Sequence, residues 1–144
     1  GQGAWPVTTV PVCINTVQFP LPSAARCFKL GQAIGRAIES WDADKRVVVI
    51  GTGGLSHQLD GARAGFINKD FDLKFMASLV GDPACATRYS ITDLVELVGT
   101  QGVELLMWLA ARGALTGTVT KVHANYHIPI SNTASGLMVL QNAA

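Results

Sequence analysis

The sequence predicts an α/β fold, and three observations carry that prediction. Arg46–Ile50 (RVVVI) is a short, continuous β-branched run, the pattern of a strand covered on both faces. Gly51-Thr52-Gly53-Gly54 follows it with no spacer. Apolar residues at helical spacing stand on either side of the pair. Helix, turn, buried strand and glycine loop in succession define the α/β class, with function expected beyond the carboxyl end of the strand.

The remaining elements follow in chain order. Trp5–Asn15 (WPVTTVPVCIN) reads as a strand at a sheet edge, because Pro6 and Pro11 cannot donate to a ladder. Phe19-Pro20-Leu21-Pro22 is a rigid connector. Ser23 opens a helix whose Cys27, Leu30, Ile34, Ala37, Ile38 and Trp41 recur at three- and four-residue spacing, which predicts its buried face. Asp42-Ala43-Asp44-Lys45 is a polar turn. Asp70 is the expected cap of a helix from Phe71 to Val80, with Phe71, Phe75 and Leu79 on one face and Gly81-Asp82-Pro83 as its stop. Ser90-Ile91-Thr92-Asp93 has the spacing of a capping box that opens Asp93–Val98. After a break at Gly99–Gly102, Val103–Leu115 predicts an apolar helix ending near Gly113, and Gly117–Tyr126 and Gly136–Leu140 read as strands. No internal repeat or low-complexity tract interrupts this order.

Composition bounds the function. The 144 residues suit a single domain, with 49% hydrophobic and 15% charged residues, against about a quarter charged in ordinary soluble domains. Mean hydropathy is +0.30. Eleven Lys plus Arg against ten Asp plus Glu, with no run of either sign, excludes binding to nucleic acid or an acidic membrane by counterion release. No apolar run approaches the ~18 residues of a membrane span. Cys13, Cys27 and Cys85 are scattered, without a CxxC, which argues against a disulfide framework or zinc knuckle and for a reduced, cytoplasmic setting. The chain opens at Gly1-Gln2-Gly3 without Met or a signal-peptide pattern. With the low charge, that start predicts a piece of something larger.

Gly51-Thr52-Gly53-Gly54-Leu55-Ser56-His57-Gln58 is the most informative stretch. Its glycines permit a sharp turn and close approach to a ligand, or serve a plain tight loop. It lacks the spacing and Lys of a P-loop and the third glycine of a dinucleotide fingerprint. His57, directly beyond the loop, stands where a proton donor or acceptor is placed, or else is a loop histidine bonded to backbone. Ser56 suggests a hydrolase, but neighbours on an extended backbone point to opposite faces, so His57 is a poor base for it.

Glu104 is the second unusual residue. It is the only charge before Arg112 in an apolar helix, and Met107, Trp108 and Ala111 share its face at i+3, i+4 and i+7. Such a carboxylate is either a first-turn residue favoured by the helix dipole or one compensated by a metal, cation or hydrogen-bond donor. His123 and His127 lie four residues apart on a predicted strand, ~13 Å and too far for joint chelation. Ser131-Asn132-Thr133 is a polar loop that caps a turn or anchors an anionic substrate group.

Four ordered motifs point to a family. Asn15-Thr16-Val17-Gln18-Phe19-Pro20, Gly51–Gln58, Gly65-Phe66-Ile67-Asn68 and Gly102–Leu109 (GVELLMWL) together resemble the catalytic β subunit of the protocatechuate 4,5-dioxygenase and gallate dioxygenase group. These are class III extradiol ring-cleaving dioxygenases. The resemblance runs over nearly the whole chain and covers the C-terminal half of the catalytic subunit, so residues 1–144 are expected to be one partial domain. The implied fold is a mixed central sheet flanked by helices. The family binds one non-haem Fe(II) through two histidines and one glutamate, leaving positions open for substrate and O₂.

By that resemblance Glu104 is the carboxylate ligand, His57 the acid/base residue, and Ser131 and Asn132 the loop that meets the substrate's ring carboxylate. The family's two histidine ligands lie in its N-terminal half and have no counterpart here; neither His123 nor His127 is in their place. The expected activity is ring cleavage of a 3,4-dihydroxybenzoate such as gallate or protocatechuate. The expected partners are the small aromatic acid, O₂, the N-terminal half of the domain, and a second copy or small accessory subunit. A non-catalytic remnant of the fold and a serine hydrolase using Ser56 are the alternatives.

Overall fold

A computed structural model describes Gly3 and residues 6–143. Four α-helices and one hairpin organise the chain: α1 (Ala24–Glu39), α2 (Lys69–Gly81), α3 (Ile91–Val98), α4 (Leu105–Gly113), β1 (Val119–His127) and β2 (Ser135–Asn142). Short 3₁₀ turns at Cys85–Arg88 and Gly102–Glu104 precede α3 and α4. No single helix among the described residues is long and apolar enough to cross a membrane.

Three of the four helices, α1, α2 and α3, start at a side-chain cap. Ser23 caps α1 by accepting from the Arg26 amide. Asn68, not Asp70, caps α2: its Oδ1 accepts the Phe71 amide at 3.1 Å, and Asp70 lies inside the first turn. Ser90 and Asp93 form the expected capping box, with α3 beginning at Ile91. The first turn of the predicted Val103–Leu115 helix is the 3₁₀ segment, and α4 proper starts at Leu105.

Helix α1 packs on α4 along part of the expected face, with Cys27 buried and Ile34 and Ile38 half-buried, but its closest contact runs through glycines. Cys27, Gly31 and Gly35 are buried, whereas Leu30 and Trp41 are exposed. The reason is closeness. An added Cβ at Gly31 would collide with the Ala110 carbonyl, and one at Gly35 would stand 2.6 Å from the Ala114 carbonyl oxygen. Only glycine lets the two backbones approach in this way. Arg112 of α4 is buried and spans to the end of α2, its Nε donating to the Leu79 carbonyl at 2.6 Å. Burial pushes its guanidinium pKa down. Leu55, Phe71, Phe75, Leu79, Leu94, Val98, Val103, Leu105, Leu106 and Leu109 form one core beneath the loop that carries His57.

The expected strands fare unequally. β1 and β2 pair antiparallel from Val119–Asn142 to His127–Ser135, with an irregularity between Lys121 and His123. Arg46–Ile50 forms no strand: Val48 is 75% and Ile50 76% exposed. A buried strand needs a hydrogen-bonding neighbour at its edge and cover on each face, and no described segment of this chain pairs with this run. Trp5 lies outside the described residues, and residues 6–15 form no strand. The sheet among the described residues is therefore the two-stranded hairpin, not a mixed central sheet. All three cysteines are free.

Candidate active site

The site is built on one loop, Gly51–Gln58, held by three neighbours. Helix α4 and the turn before it hold the first half. The Gly54 amide donates to Glu104 Oε2 at 2.8 Å, and Trp108 Nε1 donates to the Gly53 carbonyl at 3.0 Å. These partners are four residues apart, one turn along the helix face. A Cβ at Gly51 would meet the Met107 carbonyl and stand 2.9 Å from Ala111 Cβ. Gly53 has φ +127° with Glu104 Cβ across from it. Glycines 51 and 53 thus serve the close approach of the loop to α4, along the face of Glu104, Met107, Trp108 and Ala111. Glu104 is half-buried, and its compensating donor is a backbone amide.

The second neighbour is the chain before β2. Leu55 N donates to the Ala134 carbonyl at 3.0 Å, Ala134 N to the Ser56 carbonyl at 3.1 Å, and His57 and Thr133 form an antiparallel bridge. Ser131 and Asn132, both exposed, immediately precede that bridge. The fold therefore delivers this polar loop to the His57 segment from about 75 residues away along the chain. Asn132 sits at φ 59°, the left-handed region that asparagine tolerates, and faces Gly65, where an added Cβ would stand 3.7 Å from its Cγ. The third neighbour is the α3–α4 junction: His57 N donates to the Val98 carbonyl at 2.8 Å and Gly102 N to the His57 carbonyl at 3.2 Å.

The imidazole of His57 is 5% exposed and its orientation is fixed. Nδ1 lies 2.8 Å from the Leu55 carbonyl oxygen. A carbonyl only accepts, so in the neutral ring Nδ1 carries the proton and Nε2 the lone pair. The ring also packs on Gly54, where a Cβ would stand 2.8 Å from its Cε1. One glycine thus touches both candidate residues: its amide holds Glu104 and its Cα backs His57.

Ser56 is not a nucleophile. It is fully buried, its hydroxyl donates to Asp72 Oδ2 at 2.6 Å and accepts the Asn68 amide at 2.8 Å, and its own amide donates to Asp72 Oδ1 at 2.9 Å. The hydrolase alternative fails on this geometry. Asp72, 1% exposed, accepts a third bond from the Tyr126 hydroxyl at 2.8 Å. Burial pushes its pKa above the ordinary carboxylate value, against the opposing pull of the Ser56 and Tyr126 bonds and the His57 charge. Burial and then Asp72 push the Tyr126 hydroxyl pKa up.

His123 and His127 stand exposed on β1, opposite Val139 and Ser135. Among the described residues no three His, Cys, Asp or Glu side chains gather in a group able to hold a metal. Asp72, Asn68 and Tyr126 are the functional-site neighbours that the sequence did not announce. Asp72 had one signal: it precedes Phe75 and Met76 by three and four residues, a carboxylate on the buried face of α2.

With this geometry in hand, the relatives give it a class. Residues 2–136 match the family described as catalytic LigB subunit of aromatic ring-opening dioxygenase. The chain belongs to that family, the class III extradiol dioxygenases. Among its relatives, gallate dioxygenase of Pseudomonas putida is 42% identical over 139 residues, which is 96% of this chain and 41% of that protein. Shorter matches reach 2,3-dihydroxyphenylpropionate/2,3-dihydroxicinnamic acid 1,2-dioxygenases. The Rhodococcus jostii protein is 51% identical over 51 residues (35% of this chain, 16% of that protein). The Escherichia coli protein is 48% identical over 56 residues (39% and 17%). The chain thus spans about two fifths of the gallate dioxygenase it matches nearly end to end.

Proposed function

We propose that this chain is the C-terminal half of an extradiol dioxygenase catalytic domain that opens the ring of a 3,4-dihydroxybenzoate such as gallate or protocatechuate. The observation that carries the reading is the double contact at Gly54, which brings a carboxylate and an oriented imidazole to one residue. The donor set fits a share in a ferrous site. Glu104 has Oε2 fixed by the Gly54 amide, and Oε1 has no hydrogen bond to a described residue. That is the state of a carboxylate ready to ligate one hard cation. The remaining two ligands, on this reading histidines, come from the N-terminal half of the domain. Bound there, Fe(II) would supply a chelation point for the catechol oxygens and the electrons that activate O₂.

The chain's own residues do the rest. His57, with Nδ1–H given to the Leu55 carbonyl, presents Nε2 as the base for a substrate hydroxyl proton, and the resulting imidazolium can return that proton later. Its near-complete burial keeps bulk water from competing for the proton. Ser131 and Asn132, anchored by the Thr133 bridge, offer a hydroxyl and an amide to the ring carboxylate. Residues 6–15 and Arg46–Ile50 expose Val7, Val10, Val12, Val48 and Ile50, which supports the missing half as their cover, with a second copy or accessory subunit beyond it.

The test uses the complete iron-loaded domain. His57→Gln is expected to cut oxygen uptake on gallate or protocatechuate about 10²–10⁴-fold while iron content stays stoichiometric; Glu104→Gln is expected to lower iron content itself. Unchanged ring cleavage in His57→Gln would refute the acid/base assignment. Retention of iron by Glu104→Gln would refute the ligand.

A further inference from the structure

We propose that Asp72 is the positioning residue for His57, acting through Ser56: it holds the Leu55–Ser56 peptide, whose carbonyl orients the imidazole. This rests on the assignment of His57 as the acid/base residue.

One peptide unit links the two residues. The Ser56 amide that donates to Asp72 Oδ1 and the Leu55 carbonyl that lies 2.8 Å from His57 Nδ1 belong to one peptide unit, which is planar, so turning either end turns the other. Whatever fixes that peptide plane fixes the acceptor of the His57 ring. Ser56 is held at both of its polar ends by the two oxygens of one carboxylate, Oδ1 on its amide and Oδ2 on its hydroxyl. A slip of the loop by one residue breaks both bonds together.

The clamp is itself fixed from two sides. Asp72 belongs to the first turn of α2, whose cap Asn68 donates its amide to the Ser56 hydroxyl and its Nδ2 to the Leu97 carbonyl at 3.0 Å. From the other side Tyr126 of β1 donates to Asp72 Oδ2. Helix α2, the hairpin and the α3 terminus therefore all meet at the residue before His57. A carboxylate is a costly way to join them, because burial of the charge is only partly offset by its three bonds. An apolar side chain would fill the space at lower cost but could not accept from Ser56 twice. Two-point acceptance is the property the position uses, and it is what a loop carrying an oriented imidazole requires.

The complete iron-loaded domain again serves, with Asp72→Asn, an isostere with one fewer acceptor oxygen. Two measurements are needed. Nitrogen NMR of histidine-labelled protein reads the His57 ring without reference to activity. The wild type is expected to show one Nδ1–H tautomer, and Asp72→Asn a mixture. In steady-state kinetics Asp72→Asn is expected to lower kcat about tenfold with KM changed less than twofold. In the His57→Gln background it should cause no further loss. An unchanged His57 ring spectrum, or a kcat loss that recurs in full without His57, would overturn the proposal. Should His57→Gln itself prove fully active, the acid/base reading fails, and the ring spectrum alone decides whether Asp72 orients the imidazole. Tyr126→Phe removes one of the three bonds and is expected to give a smaller effect of the same kind.

Discussion

Two β-branched stretches of this chain meet opposite fates. Val119–His127 finds Ser135–Asn142 and pairs along its length. Arg46–Ile50, at least as rich in β-branched residues, has no partner and leaves Val48 and Ile50 largely exposed. Propensity does not separate them; a neighbour does. A helix satisfies its backbone from within, whereas a strand must borrow its bonds from another strand. The chain crosses between these regimes at Gly51. Arg46–Ile50 just before it has no backbone partner among the described residues, and after it Glu104, Trp108, Ala134, Val98 and Asp72 hold every residue from Gly53 to His57. The loop that carries His57 is thus held by the anchored part of the molecule. The run that feeds it waits, on the proposed reading, for the other half of the domain.

The anchored part should break most severely at Trp108. Its ring is buried, lies 6.5 Å from Phe75 between centroids and ties the loop through the Gly53 carbonyl. Trp108→Ala is expected to cost about 3–5 kcal/mol, read as a lowered midpoint in urea unfolding. Trp108→Phe keeps most of the packing and should cost about 1–2 kcal/mol, the share of the lost bond and the orphaned carbonyl. Equal costs for the two would show that the ring packs nothing of consequence and that the loop is not held from α4.

Two carboxylates sharpen the comparison through pH. Asp72 is buried, and its folded pKa is raised above the ordinary 3.8 chiefly by desolvation. The folded state then holds its proton longer than the unfolded state. Its stabilisation is complete below the unfolded pKa and is lost as pH rises through the folded one, at about 1.4 kcal/mol per unit of difference. Asp93 is exposed, and its pKa is lowered by the Ser90 hydroxyl and amide. Its contribution runs the other way, present above 3.8 and lost as pH falls through the folded value. Unfolding midpoints measured from pH 3 to 7 should therefore lose their decline on the rising side in Asp72→Asn. In Ser90→Ala the Asp93 titration should move up toward 3.8. The same pH profile in Asp72→Asn as in wild type would contradict a buried, desolvated carboxylate.

What could be read in the sequence follows the same divide. Helix caps and stops are local chemistry, so Ser23, the Ser90–Asp93 box and the Gly81-Asp82-Pro83 stop were legible, and the error at α2 was a shift from Asp70 to Asn68. Glu104 and His57 stood out because each breaks an apolar or glycine pattern. The face shared by Glu104, Met107, Trp108 and Ala111 was correct as periodicity, but its occupant, the glycine loop, is a contact across about 50 residues. The α1 face was legible at Cys27, Ile34 and Ile38 but not at Gly31 and Gly35, because backbone proximity is set by the partner helix. The Ser56–Asp72–Tyr126 network joins three elements, and its only local signal is the place of Asp72 on the apolar face of α2.

The smallest effect expected in this chain tests the contrast most directly. Val48 is 75% exposed, so Val48→Lys should change the stability of the 144-residue chain by no more than about 0.5 kcal/mol. In the complete catalytic domain the same substitution meets a different environment. A strand inside a sheet covered on both faces has no water at its centre, and a lysine there is expected to cost about 2 kcal/mol or more as it is desolvated or forced to snorkel. The comparison is a pair of urea unfolding curves for each protein, wild type and variant. A large difference between the two costs means that Arg46–Ile50 becomes a buried strand once its neighbours are supplied, and that its exposure here reflects the partner it lacks. A small cost in both would mean that the run stays in water in the whole protein. The two regions would then differ by nature and not by company.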